Sequence, residues 1–206
     1  MIRPPWDGVA FSERSDGDLR NDLVRRGDAA SVLGLAPEWA EVQQVHGNHV
    51  VRVGSSGRSG EADAIWTSEP CLPVAVFTAD CLGVVLTAPG AVGVAHAGWR
   101  GAAGDVVGRL REEMAAAGHP PRRAAIGPGI GPCCFEVGPE VAERFGSHIT
   151  LTTFGTTSVD LPAAVIERLD DIEIWSTGAC TMHEDRWFSH RSDATKQRLG
   201  AIGWVP

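Results

Sequence analysis

Between Leu72 and Ala97 the chain holds three short apolar runs: Leu72 to Thr78, Gly83 to Ala88 and Ala91 to His96. Runs of this length, rich in Val and Ala and bounded by turn residues, read as buried strands. Pro89-Gly90 is a tight-turn dipeptide, so the second and third runs pair as an antiparallel hairpin. That hairpin returns His96 to about the level of residue 83, close to Cys81, which follows Asp80 at the end of the first run. The placement supports two chemistries: shared metal ligands, or a Cys nucleophile activated by His.

The remaining segments alternate. Leu19, Leu23, Val24, Val32 and Leu33 suggest one or two amphipathic helical turns, weakened by Gly27. Ala40 to His46 and His49 to Val53 read as extended segments joined by a tight turn at Gly47-Asn48. Gly54 to Gly60 reads as a Ser/Gly-rich loop. Gly104 to Ala117 is the clearest helix, with Val106, Val107, Leu110 and Met114 on one face and Gly118 as its stop. Arg123 to Ile126 and Ile172 to Trp175 are strand candidates. Pro139 to Phe145 and Leu161 to Leu169 look helical, the latter capped by Asp160. Interleaved strands and helices predict an α/β or α+β single domain with a mixed sheet.

Composition narrows the function classes. At 206 residues the chain is long enough for one large domain. A formal charge of −8 argues against nucleic acid or an anionic membrane as partner, since both reward basic patches. No apolar stretch approaches the ~18–20 residues of a membrane span, and the first residues lack a signal-peptide apolar run. Five Cys in no disulfide-scaffold pattern fit a reducing compartment. Together these predict a cytoplasmic protein.

His46, in Gln43-Gln44-Val45-His46-Gly47, is a third candidate ligand, with His49 as its competitor. His46, Cys81 and His96 would leave a fourth tetrahedral position open, the layout of a catalytic metal site. Gly98-Trp99-Arg100-Gly101 leads into the helix Gly104 to Ala117, where free N–H groups and Arg100 could hold an anion. Small residues that merely allow tight helix–sheet packing are the other reading of that turn. Cys133-Cys134 lies in a Gly/Pro-rich loop expected to line the site, because adjacent Cys rarely chelate one metal together. Cys71 and Cys180 read as core filler. His119, His148 and His183 carry no assignment.

Several blocks together resemble the YfiH/laccase-domain family in order and spacing. They are Gln44-Val45-His46-Gly47, Ala62-Asp63-Ala64, Thr78-Ala79-Asp80-Cys81, Ala95-His96-Ala97-Gly98-Trp99-Arg100-Gly101, Ile126 to Gly138, and Cys180-Thr181 with Phe188-Ser189-His190-Arg191. Members have been described as polyphenol oxidases, peptidoglycan editing factors and purine nucleoside phosphorylases. The resemblance runs from about residue 39 to the end, with residues 1–38 a shortened version of the family's N-terminal part. Arg191-Ser192-Asp193 stands where the family has Arg-Arg-Asp.

The resemblance implies a four-layer α/β/β/α sandwich with mixed sheets, and zinc held by His46, Cys81 and His96. It also implies phosphorolysis of adenosine, inosine, guanosine and methylthioadenosine, with deamination of adenosine. Purine nucleosides and phosphate are then the partners. Asp80 is a candidate for proton transfer or for orienting a ligand, and Arg100 and Arg191 are candidates for phosphate. Three other classes fit some of the same residues. A copper polyphenol oxidase suits the older family name, although one His2Cys site cannot supply several coppers and the chain has only 7 His. A Cys–His hydrolase or amidase, editing peptidoglycan precursors, needs no metal. A metal-stabilised binding module needs no turnover.

Overall fold

The computed structural model describes residues 1–169 and 171–206. The strands are β1 (Val9–Phe11), β2 (Ala40–Gln43), β3 (Val50–Arg52), β4 (Gly57–Glu61), β5 (Ala64–Thr67), β6 (Val74–Thr78), β7 (Leu82–Ala88), β8 (Ala91–Ala97), β9 (Arg123–Ile126), β10 (Ile149–Leu151), β11 (Thr157–Val159), β12 (Glu173–Ser176) and β13 (Leu199–Gly203). The helices are α1 (Leu23–Leu33), α2 (Trp99–Ala103), α3 (Val106–Ala116), α4 (Pro139–Ala142), α5 (Leu161–Ile166) and α6 (His190–Asp193). None of the described helices is long and apolar enough to cross a membrane.

Two mixed sheets carry the fold. One has five strands in the order β1-β13-β6-β2-β4, the other six in the order β12-β9-β7-β8-β5-β3. Their inner faces meet in an apolar layer containing Phe11, Val74, Val76, Val85, Val94 and Ala201. On the outer face of the six-stranded sheet, Leu110 and Met114 of α3 and Leu161 and Val165 of α5 join Val84, Leu86 and Ala95. On the outer face of the five-stranded sheet, Ala29, Ala30 and Leu33 of α1 pack on Ala10, Ala75, Phe77 and Ile202. The order is therefore helix, sheet, sheet, helix. Strands sandwiched on both sides must be apolar throughout, which is why β6 and β8 read as continuous apolar runs rather than alternating ones.

The central hairpin forms as the turn chemistry predicts. β7 and β8 pair from Leu82↔Ala97 to Ala88↔Ala91, and Gly83 faces His96. The best helix begins at Val106 rather than residue 104, because Asp105 caps it by accepting from Gly108 N–H. The residues before it form the separate short helix α2. Its buried side is the expected one: Val106, Val107, Leu110 and Met114. Gly93 on β8 lets this helix come close, since a Cβ there would sit 2.8 Å from both Leu110 Cδ1 and Met114 Sδ. Asp160 caps α5 as expected, accepting from Ala163 N–H.

Three expectations fail. The two extended segments joined at Gly47-Asn48 do not turn back on each other, for β2 lies in the five-stranded sheet and β3 in the six-stranded one. The chain crosses between layers there, because β2 pairs parallel with β4 and β6 and β3 pairs parallel with β5. Gly54 to Gly60 is not wholly loop: Gly57–Glu61 forms β4, an exposed edge strand on β2. In α1 the buried residues are Arg26, Ala29, Ala30 and Leu33, while Leu23, Val24 and Val32 are exposed. The buried Arg26 turns the helix, bonding Glu41 Oε2 at 2.9 Å and the carbonyls of Leu19 and Arg20.

Candidate active site

The candidate site lies where the chain passes between the two sheets. Cys81 stands on the short link from β6 in one sheet to β7 in the other, and His96 sits near the end of β8. His46 is brought in by the crossing that follows β2. There Gln44 continues the sheet with its side chain: its amide donates to Phe77 O and accepts from Phe77 N, both at 2.8 Å. The backbone is thereby freed to turn at Val45, and His46 adopts a left-handed φ of 60°. Asp80, beside Cys81, is also left-handed at φ 84°. Non-glycine residues in this region are uncommon and cluster where surrounding contacts dictate the backbone.

His46, Cys81 and His96 converge, with one ligand atom from each within 4.8 Å of the others. The two imidazoles meet edge to face, centroids 4.8 Å apart and planes at 79°. Gly98 makes room for the cluster: a Cβ there would lie 2.9 Å from Cys81 Sγ and 3.2 Å from His46 Cδ2. His49, the competitor, is directed elsewhere and bonds Glu61 O through Nδ1.

The residue that organises the site is Asp63. It is fully buried, and its Oδ1 meets His96 Nδ1 at 2.8 Å. Its carboxylate also accepts from the backbone N–H groups of Val45, His46 and Gly47. One carboxylate thus sets the ring of His96 and the turn that carries His46. The sequence offered a signal for it, an acid set between Ala62 and Ala64 at the head of an apolar strand. A charge in such a setting is buried only if it is well paired. The carboxylate that bonds a histidine of the cluster is therefore Asp63 rather than Asp80. Asp80 instead accepts from Thr181 Oγ1 and from Arg191 N–H, both at 2.6 Å. It fastens the C-terminal segment against the site.

The electrostatics follow from these contacts. Burial pushes the Cys81 thiol up, but hydrogen bonds from His46 and His96, and the charge of the two imidazoles, outweigh it and bring it to about 6. Burial likewise opposes the charged form of His96, yet Asp63 and Cys81 raise it to about 9. Asp63 is held below the ordinary carboxylate range against its own burial, by His96 and the Gly47 and Val45 N–H groups. The contacts thus favour the charged forms of both Cys81 and His96.

The cluster opens into a cleft of about 350 Å³. Its walls include Arg20, Arg100, Arg191 and Arg198, with Phe77, Trp99 and Phe135 as aromatic surface. Arg100 lies over Trp99, 4.2 Å from the ring centroid. Arg191 donates to Glu136 O at 3.0 Å and lies over Phe135 at 5.7 Å. Arg20 was not singled out from the sequence, because nothing local marks it. It comes from the segment before α1, far from the strand-end motifs. A larger cleft of about 620 Å³ runs from Trp6 to Arg123, but no Cys or His lines it.

The Gly/Pro-rich loop lines the cleft through Ile130 and Phe135, not through its cysteines. Cys133 and Cys134 turn into a second group with Cys180 and His183.

This fold and site define a family. The chain belongs to the multi-copper polyphenol oxidoreductase laccase family, whose model matches residues 2–205. Among curated relatives, a protein of Deinococcus radiodurans named purine nucleoside phosphorylase is 37% identical, covering 98% of this chain and 84% of its own. The Escherichia coli protein named purine nucleoside phosphorylase YfiH is 33% identical over 98% of this chain and 88% of its own. The crystal structure of YlmD from Geobacillus stearothermophilus superposes with a TM-score of 0.87 at 27% identity, covering 99% and 94% of the two chains.

Proposed function

We propose that this protein is a zinc-dependent purine nucleoside phosphorylase, acting on adenosine, inosine, guanosine and methylthioadenosine, with adenosine deaminase activity. The observation that carries the reading is a His-Cys-His set opening into an arginine-walled cleft. The activity for which the relatives are named supports it. The donors suit zinc: two imidazoles and a thiol whose thiolate is already favoured, gathered round a point that Gly98 keeps clear. When bound, such a metal supplies a Lewis acid that polarises substrate and lowers the pKa of water.

The protein's own residues supply the rest. His46, Cys81 and His96 hold the ion, and Asp63 fixes His96, an outer partner of the kind metal-binding histidines require. Arg100 and Arg191 bind phosphate, with Arg20 and Arg198 adding positive field in the same cleft. Phosphate then attacks ribose C1′ as the bond to the purine breaks. Trp99, partly exposed in the cleft, offers aromatic surface against which a base can stack. Asp80 acts as a positioning residue, holding Arg191 and the C-terminal segment at the cleft. The reaction is intracellular in this reading, and neither nucleic acid nor membrane takes part.

A second reading draws on a specific observation. Cys81, His96 and Asp63 stand in the order nucleophile, base and orienting acid, so the same array could serve a metal-free hydrolase or amidase acting on peptidoglycan precursors. Copper oxidase chemistry is disfavoured, because neither cluster offers the histidines that several coppers need.

The deciding experiment is chromatography of adenosine and inosine incubations, with and without phosphate, for wild type and Cys81→Ala. Phosphate-dependent release of free base by the wild type alone is expected, with inosine formed from adenosine. Turnover by a Cys81→Ala protein that has lost the zinc held by His46, Cys81 and His96 would overturn the proposal. Alkylation of Cys81 that abolishes activity while zinc is retained would favour the hydrolase.

A further inference from the structure

Cys133, Cys134, Cys180 and His183 lie outside the cleft just described. Each offers one ligand atom, and the four atoms lie within 4.8 Å of one another. Cys134 Sγ is 3.2 Å from His183 Nε2. We propose that these four residues form a second, structural zinc site with a Cys3His ligand set.

Local backbone geometry makes the site possible. In a strand, Cys133 and Cys134 would point to opposite faces. Here the chain turns instead, with Cys134 N–H and Phe135 N–H both donating to Gly131 O. Neighbouring side chains in such a turn can reach the same point. The other pair arrives on a second turn, closed by His183 N–H donating to Cys180 O. The two turns are joined by a bridge between Gly129 and Cys180, with Thr181 N–H donating to Gly129 O.

The surroundings match a thiolate-bound ion. Gly131 N–H donates to Cys180 Sγ at 3.3 Å, an outer contact that stabilises sulfur bearing charge. Gly131 also keeps the space clear, for a Cβ there would lie 3.2 Å from Cys133 Sγ and 3.3 Å from Cys180 Cβ. Three thiolates and one imidazole complete a tetrahedron with no open position, which is the structural rather than the catalytic pattern. Soft sulfur ligands in that geometry select zinc over the hard cations. Binding would release the thiol protons to solvent.

The consequence reaches the first site. The ion would clip the loop bearing Ile130 and Phe135 to the loop bearing Thr181, whose hydroxyl bonds Asp80. The first loop walls the cleft directly, and the second reaches it through Asp80.

The test is metal content, which is independent of any nucleoside turnover. Zinc-replete wild type should carry two zinc ions per chain. Cys81→Ala should keep one, and Cys180→Ser and His183→Ala should each lose one while keeping the other. Cobalt loaded into Cys81→Ala should give an intense thiolate-to-cobalt absorption band, which reads the second site even if Cys180→Ser fails to fold. A metal-free Cys81→Ala protein without that band would overturn the proposal. So would a disulfide among Cys133, Cys134 and Cys180 in peptide maps of freshly purified protein.

Discussion

The two Cys–His groups use similar donors and differ in what surrounds them. In the first, three candidate ligands come from three separate places: the crossing after β2, the β6–β7 link and the end of β8. They face a cleft with four arginines. In the second, four candidate ligands come from two turns, and none of the first cleft's arginines lines the hollow beside them. The difference teaches how a fold separates reactivity from stability. An incomplete ligand set, held by an outer carboxylate and opened to charge, leaves room for chemistry. A complete set closes on itself and can only hold the chain together.

The comparison breaks most sharply at Asp63, which has no counterpart in the second group. Asp63→Asn should weaken zinc binding at the first site about 10–100-fold, leaving the second site's zinc in place. It should also cost about 1–3 kcal/mol of stability, because an amide cannot accept from three backbone N–H groups and His96 together. Metal titration and thermal melting of the same variant check both effects. Equal loss from both sites would show that they are not independent.

A paired glycine experiment sharpens the contrast. Gly98→Ala should strain the first cluster and Gly131→Ala the second, each by about 1–3 kcal/mol of overpacking. The Gly98 variant should lose nucleoside turnover and retain one zinc. The Gly131 variant should lose the other zinc and melt earlier. Metal counts that do not swap between the two variants would dissolve the distinction.

The smallest effect is expected from charge alone. Arg100→Gln should raise the KM for phosphate about tenfold with both metal ions retained, the loss of one charge-assisted contact in a partly open cleft. An unchanged KM would move phosphate binding to Arg191, Arg20 or Arg198.

Much of this could be read along the chain where the causes are local. The β7–β8 hairpin follows from Pro89-Gly90, and it alone brings His96 level with Gly83. The buried stripe of α3 follows from helical spacing, and its start from Asp105. The candidate ligands His46, Cys81 and His96 were legible for the same reason, each lying beside a turn at the end of an apolar run. Asp63 was harder, since a single acid between alanines says it is buried but not whom it bonds. The buried face of α1 does not follow the apolar spacing, because Arg26, a charged residue, sits on the core side through its pair with Glu41.

What the sequence determined by itself was the local menu: which segments are strands, which turn is tight, which face of a helix is apolar. These depend on steric limits and spacing over a few residues. The tertiary structure alone decided that β2 and β3 enter different sheets, that Asp63 rather than Asp80 holds His96, and that Cys133 and Cys134 meet Cys180 and His183. Those partners are 33 residues apart for Asp63 and His96, and 49 for Cys134 and His183. At such separations no local preference acts, and only the packing of two sheets and their crossing loops brings the groups within a bond's reach.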